Sequence, residues 1–243
     1  MQTWGLTDPG NIRQQNQDSY AIVPFGRDRV LMIVCDGMGG AKSGNVASSL
    51  AVEVFTDEVR RTQKAGMTPE KAAAMLRSAL ELANRAVFEQ SQLSEDFSGM
   101  GTTLVAAWIS RDLAVSIKVG DSRAYHFTRE DVRLVTRDHS MVAYMVERGE
   151  LTQEQAKAHP GKNVITRAVG TEPEVEGDVF TCRLRRDECI LLCSDGLSNE
   201  MADQEMLFEV VHGLSRSDCC QRLLHIAKKR GAPDNVTVTL AAV

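Results

Sequence analysis

Four aspartates stand where apolar, strand-like runs meet glycine or asparagine: Asp36, Asp121, Asp195 and Asp234. Apolar runs end just before the first three, and another begins two residues after the fourth. Strands of this kind would deliver the carboxylates to the edge of a sheet. Carboxylates gathered there repel one another unless a cation lies among them. The set offers oxygen donors without thiolate or imidazole, so it predicts Mg²⁺ or Mn²⁺ rather than Zn²⁺.

Strands and helices come in groups along the chain. Apolar or alternating runs predict strands at 4–7, 19–24, 30–35, 102–109, 113–119, 123–127, 179–184, 190–193 and 235–243. Helices are predicted at 43–61, from 68 to 88, at 204–211 and at 217–229. The turns after residues 109 and 127 are too short for a crossover helix, so their strands should pair antiparallel. The grouping indicates helix layers that cover a sandwich of sheets.

The segment from 140 to 162 differs from its surroundings. It carries two short helical patterns, one at 141–148 and one that opens with the capping box Thr152-x-x-Gln155. It ends in His159-Pro160-Gly161, which is typical of a turn. We interpret it as a surface flap inside a larger domain.

Composition places the chain among ordinary globular proteins. Its 243 residues are 43% hydrophobic and 25% charged, and no break in composition divides them, so we expect one domain over residues 1–243. No apolar stretch is long enough to span a membrane, and the first residues do not form a signal peptide, which predicts a cytoplasmic protein. The six cysteines show no metal-ligand spacing and should be buried thiols. A net charge of −5 argues against a nucleic-acid binder.

Eight motifs in order make the chain resemble the type 2C metal-dependent serine/threonine protein phosphatases, in their short bacterial form. The resemblance spans nearly the whole chain. The motifs are residues 7–18, Asp36-Gly-Met-Gly-Gly40, Gly101-Thr-Thr103, Gly120-Asp-Ser-Arg-Ala-Tyr125, Arg137-Asp-His-Ser140, Ile165-Thr-Arg-Ala-Val-Gly170, Ser194-Asp-Gly-Leu197 and Asp234-Asn235. The resemblance implies an α+β fold: a four-layer α-β-β-α sandwich with a central pair of mainly antiparallel sheets and the small flap.

The resemblance also implies a metal centre at one end of the sandwich. Asp36 would bridge two Mn²⁺ or Mg²⁺ ions, with the Gly37 carbonyl on one ion and with Asp195 and Asp234 on the other. Asp18 would hold a water on the metal. Two ions about 3.5–4 Å apart lower the pKa of a water between them, so no protein nucleophile is required.

Three further positions complete the implied site. Asp121 would join Asp195 in holding a weaker third ion, and Arg13 would bind two phosphate oxygens through its planar fork. Many family members have a histidine where this chain has Met38, and that histidine protonates the leaving oxygen. Methionine cannot do so, which leaves the general acid open: a water on the metal, or one of the histidines at 126, 139 and 159.

Other interpretations of the same residues remain open at this point. Asp36 and Asp195 precede glycines and could simply form turns, and Asp121 could be a structural corner. The fold could serve as a catalytically silent regulatory module, or it could house another two-metal hydrolase. The complete set of acidic ligands favours an active enzyme, and the negative net charge weighs against a nucleic-acid substrate.

The resemblance therefore predicts a phosphatase that hydrolyses phosphoserine and phosphothreonine in proteins. Its partners would be phosphoprotein substrates and a separate serine/threonine kinase that it opposes, with no nucleic acid and no membrane. We expect a monomer, with substrate choice determined by the flap.

Overall fold

Two antiparallel sheets lie face to face in the computed structural model, which describes residues 1–39, 43–213 and 215–243. The first sheet has the strand order β1 (Gln2–Asp8), β11 (Val236–Ala242), β10 (Cys189–Cys193), β7 (Arg123–Phe127) and β8 (Val132–Leu134). The second has the order β2 (Asp18–Pro24), β3 (Arg29–Met38), β5 (Leu104–Ser110), β6 (Leu113–Val119) and β9 (Asp178–Arg183), and the short β4 (Gly101–Thr102) also pairs with β3. Every strand pair in the described segments is antiparallel, as predicted.

Helices cover the outer face of each sheet. The second sheet packs against α1 (Ser43–Thr62) and α2 (Pro69–Ser91). The first sheet packs against α5 (Asp195–Ser198) and α7 (Cys219–Lys229), and α6 (Asp203–Leu207) continues into a π-helical turn at Phe208–His212. None of the helices in the described segments combines the length and the apolar character needed to cross a membrane.

Strand β3 shows why the sandwich has four layers. Its side chains at 31, 33 and 35 pack towards α1 and α2, whereas those at 30, 32 and 34 pack into the space between the two sheets. All six are essentially inaccessible to solvent. Each such side chain contributes about 1.5–3 kcal/mol by leaving water. A third apolar cluster lies between the first sheet and α5 to α7, so the predicted α-β-β-α order is confirmed.

The start of α2 follows the sequence signals. Thr68 is the N-cap, and its hydroxyl accepts a hydrogen bond from the Lys71 backbone N–H, with Pro69 as the first helical residue. The helix ends at Ser91, three residues beyond the predicted end.

Several boundaries differ from the prediction, and pairing explains them. The single strand expected at 102–109 is broken at Thr103, because Gly101–Thr102 pairs with the end of β3. This pairing also extends β3 through Asp36 to Met38. The exposed β8 and the four-residue α5 were not predicted, since neither has a recognisable period. The expected helix at 204–211 is α6 followed by the π-helical turn. Gly40 of the Asp36-Gly-Met-Gly-Gly40 motif lies outside the described residues.

The flap forms the two predicted helices, α3 (Met141–Glu147) and α4 (Gln153–Ala158), and the capping box at Thr152 and Gln155 is present. Its two ends are held together: Ser140 forms a β-bridge with Ile165, and the Thr166 N–H donates to the His139 carbonyl over 2.8 Å. The loop therefore closes at residue 165, three residues later than the sequence indicated.

Candidate metal centre

Five aspartates from both sheets meet at one end of the sandwich. Asp36 in β3 lies opposite Asp18 in β2, so these two are direct cross-strand neighbours. On the facing sheet, Asp195 follows β10 directly and opens α5, and Asp234 lies two residues before β11. Asp121 occupies the turn from β6 to β7, which carries the chain from one sheet to the other. The topology thus brings together all the carboxylates that the sequence predicted as ligands.

These carboxylates crowd one another. The charges of Asp18 and Asp195 both act on the Asp36 carboxyl. Burial, followed by the charge of its neighbours, raises the pKa of Asp36 well above its ordinary value. Burial is also the main cause that raises the pKa of Asp18 to about 6 and that of Asp121 to about 7, with Asp195 repelling both. The pKa of Asp195 is raised as well, by burial and then by Asp234.

Two buried carboxylate oxygens in this group have no hydrogen-bond partner among the described residues: Oδ1 of Asp18 and Oδ1 of Asp195. The second oxygen of each is satisfied, because Asp18 Oδ2 accepts from Ser194 Oγ over 2.7 Å and Asp195 Oδ2 accepts from Asn199 Nδ2 over 3.0 Å. An unsatisfied buried oxygen costs about 1–3 kcal/mol. Oxygen donors with raised pKa values and free lone pairs fit a hard divalent cation.

The side-chain positions alone do not form a complete ion cage. Within residues 1–39, 43–213 and 215–243, no three Asp, Glu, His or Cys side chains close around a common ion-sized point. It is the chemistry of the oxygen donors that fits a metal.

Glycine is required beside Asp36 by close backbone packing. A Cβ on Gly37 would lie 2.0 Å from the Gly44 carbonyl oxygen at the start of α1, and a Cβ on Gly44 would lie 2.8 Å from the Gly37 carbonyl oxygen. The Gly37 N–H donates to the Gln17 carbonyl over 3.1 Å. These contacts fix the peptide after Asp36 against the start of α1, and only glycines allow them.

Arg13 lies at the mouth of the site. Its side chain is about half exposed (54%), and its Nη2 donates to Oδ2 of Asp234 over 2.7 Å. The residue predicted to bind phosphate is thus paired here with a residue predicted to bind metal. This ion pair gives Asp234 the direct cationic partner that the orphaned oxygens of Asp18 and Asp195 lack.

Sequence reasoning missed Ser194 as a support of the site. Its hydroxyl donates to Asp18 and accepts from the Thr237 backbone N–H over 2.9 Å, so it connects β2 to β11. The only signal in the sequence is its position directly before Asp195.

Thr103 and Asn235 support the site in the same way. Thr103 Oγ1 accepts from the Asp36 N–H over 2.9 Å and shares a 2.6 Å hydrogen bond with Ser122, next to Asp121. Asn235, next to Asp234, joins its loop to the Arg13 loop: its Nδ2 donates to the carbonyls of Pro9 and Gln15, and its Oδ1 accepts from the Gln17 N–H.

The three histidines considered as general acids all have structural contacts. His126 bonds to Glu188 over 2.8 Å, the Gly120 N–H donates to Nδ1 of His139 over 3.3 Å, and the Gly161 N–H donates to Nδ1 of His159 over 3.0 Å. Each imidazole therefore stabilises a strand edge or a turn.

Comparison with known proteins decides the family. The model of the family described as protein phosphatase 2C matches residues 12–232. The chain belongs to the protein phosphatase 2C family. The chain is 37% identical over 234 residues to the serine/threonine phosphatase stp of Listeria welshimeri, which covers 96% of this chain and 92% of the relative. It is thus a phosphoprotein phosphatase by family.

Solved structures show the same fold. The serine/threonine phosphatase Stp1 from Staphylococcus aureus superposes with a TM-score of 0.92 at 34% identity, covering 99% of this chain and 94% of that one. The catalytic domain of the phosphatase PstP, solved in complex with two manganese ions, superposes with a TM-score of 0.84 at 30% identity, covering 99% and 97%.

Proposed function

We propose that this protein phosphatase 2C member hydrolyses phosphoserine and phosphothreonine in proteins at a centre of two Mn²⁺ or Mg²⁺ ions. The observation that carries the proposal is the group of buried aspartates with raised pKa values and two orphaned oxygens at one end of the sandwich. The two ions supply an activated water and neutralise charge on the phosphoryl group. The PstP structure with two manganese ions supports the same stoichiometry.

Different residues of the chain have different roles as ligands of these ions. Asp36 would be the ligand shared by the ions, and the charges of Asp18 and Asp195 both act on its carboxyl. Asp195, Asp234 and the Gly37 carbonyl would complete the ligands of the two ions, and Asp18 would hold a water. Asp121 would hold a weaker third ion together with Asp195, whose charge raises its pKa.

Arg13 binds and orients the phosphate. Its exposed guanidinium is held at the site mouth by Asp234, where it can turn its fork towards two phosphate oxygens. Asp234 would also be an ion ligand, so its pairing with Arg13 would weaken in the metal-loaded protein and leave the guanidinium free for the phosphate.

The wider setting is part of the same proposal. We propose one catalytic domain over residues 1–243, acting as a cytoplasmic monomer that opposes a serine/threonine kinase. All six cysteines are free and buried, which suits a reducing compartment. The large exposed apolar side chains of the described segments come from separate elements, which favours a monomer.

The test is hydrolysis of a phosphothreonine peptide by metal-stripped protein, with and without Mn²⁺ or Mg²⁺. We expect turnover only with metal, and a loss of at least about 10³-fold in kcat for Asp195→Asn, because an ion ligand is removed. Asp112→Asn is the matched control, since Asp112 is an exposed partner of Arg183 away from the site. Turnover that survives in Asp195→Asn, or a wild type that binds metal without turnover, would contradict the proposal.

A further inference from the structure

A cleft of about 600 Å³ extends from the metal centre beneath the flap. Asp121 and Asp195 line one part of it. Helices α3 and α4 of the flap form one wall, and the chain that follows α5 forms the other. This volume lies within the range of sites that bind a small ligand or a short peptide segment.

Polar and apolar side chains both line the cleft. Leu134 from β8, Val142 and Val146 from α3, and Met201 after α5 all line the cleft. Leu134 is 36% exposed although it is a large apolar side chain. Four apolar side chains from three elements therefore face a space that opens on the metal centre.

Two carboxylates of the cleft are paired with cations of the protein. Lys118 and Arg123 hold Asp138, and Arg137 holds Glu147. Glu200 lies on the wall opposite the flap.

Two cationic side chains of the cleft form no ion pair within the described residues. Lys157 and Lys162, both on the flap side, have no carboxylate partner in the parts of the chain that the structure describes. Both residues are exposed. The flap side of the cleft thus presents positive charge in the same cleft as these apolar side chains.

We propose that this cleft binds the substrate polypeptide next to the phosphorylated residue, with an apolar side chain on the surface around Leu134 and an acidic side chain against Lys157 and Lys162. The inference rests on the proposed function. A phosphoryl group held at the metal centre brings its polypeptide to the mouth of this cleft, because the same aspartates line both. Charge complementarity then selects an acidic neighbour over a basic one.

The experiment compares matched phosphothreonine peptides. One carries leucine and glutamate beside the phosphothreonine, a second replaces the glutamate by lysine, and a third replaces the leucine by serine. Each peptide is made in two versions, one with the two flanking residues before the phosphothreonine and one with them after it. Every kcat/KM is divided by that for an aryl phosphate, which has no flanking chain. We expect the lysine peptide to be about tenfold worse and the serine peptide about threefold worse on at least one side.

Charge reversal gives the decisive variant. Lys157→Glu with Lys162→Glu should reverse the order of the glutamate and lysine peptides. Lys64→Glu with Lys71→Glu, a pair of exposed lysines that do not line the cleft, should preserve the wild-type order.

Two outcomes separate the proposals. Equal normalised rates on all peptides, with metal-dependent aryl phosphate hydrolysis intact, overturn the cleft as a substrate site and leave the phosphatase proposal standing. Absence of metal-dependent hydrolysis of peptides and aryl phosphate alike overturns the proposed function, and the cleft proposal with it.

Discussion

Asp138 lines the same cleft as Asp121 and Asp195 of the metal centre, but the charge of Asp138 and the charges of the metal centre are balanced in opposite ways. Asp138 Oδ1 accepts from the fully buried Lys118 over 2.7 Å, and its Oδ2 accepts from Arg123 over 2.6 Å. Burial alone would raise the pKa of Asp138, but the two cations together lower it. At Asp18 and Asp36 the pKa is raised, because burial is the largest effect and neighbouring carboxylates add to it.

The difference separates a structural charge cluster from a site built for an external ion. The Asp138 cluster carries its counter-charges within the fold and connects the base of the flap to both strands that flank Asp121. The metal centre leaves carboxylate oxygens unsatisfied, which is a cost in the metal-free protein. Such a cost is retained where function requires it.

The sharpest way to break this comparison is to neutralise one carboxylate of each kind in metal-free protein. Asp138→Asn leaves Lys118 buried without a full counter-charge, so we expect a loss of about 3–5 kcal/mol in the free energy of unfolding. Asp36→Asn removes a charge from a crowded group, so we expect a gain of about 1 kcal/mol. Urea unfolding in the presence of a chelator measures both.

The exposed Asp112→Asn is the control and should change the free energy of unfolding by less than about 0.5 kcal/mol. Destabilisation by both buried substitutions to a similar degree would show that the two sets of carboxylates do not differ in the way described.

The pH dependence of stability sharpens the same contrast. A carboxyl whose pKa is raised on folding stabilises the protein below its unfolded pKa, and this contribution is lost as the pH rises through the folded pKa. For Asp18 and Asp121, with folded values of about 6 and about 7, the metal-free protein should lose stability between about pH 4 and pH 7. The rise at Asp18 alone is worth on the order of 3 kcal/mol.

With metal bound, stability should instead rise with pH over this range, because protons compete with the ion for the same oxygens. Thermal unfolding across this pH range, with chelator and with Mn²⁺, measures both slopes, and Asp18→Asn should flatten the metal-free one. Parallel profiles with and without Mn²⁺ would count against a metal site at these aspartates.

Much of this architecture can be predicted from the sequence. The alternation within β3 and the capping signals of α2 are local, so they identify their elements without knowledge of the fold. The aspartates could be predicted to converge because each lies beside the end of a strand-like run in the sequence. Their roles as ligands remain predictions.

What escaped prediction depends on contacts between distant residues. Lys118 stands near the end of the apolar strand β6, and its pairing with Asp138, twenty residues later, explains its burial. Ser194 supports Asp18 across 176 residues of sequence. The break of the expected strand at Thr103 depends on the pairing of Gly101–Thr102 with the end of β3. The spacing of apolar and polar residues along the sequence does not indicate which distant residues will be in contact.

The smallest expected effect concerns Ser194, which orients Asp18 without being a proposed ligand. Ser194→Ala removes the donor to Asp18 Oδ2 and the acceptor for the Thr237 N–H. With one carboxylate oxygen released, the other is no longer held in place, so we expect Mn²⁺ affinity to fall about tenfold by calorimetry. Ser91→Ala is the matched control, because Ser91 is also buried but its hydroxyl donates to the Phe88 carbonyl within α2. Ser194→Ala protein that remains folded and binds Mn²⁺ with unchanged affinity would show that Asp18 does not depend on this hydrogen bond, and hence that the site is positioned by the strand backbones alone.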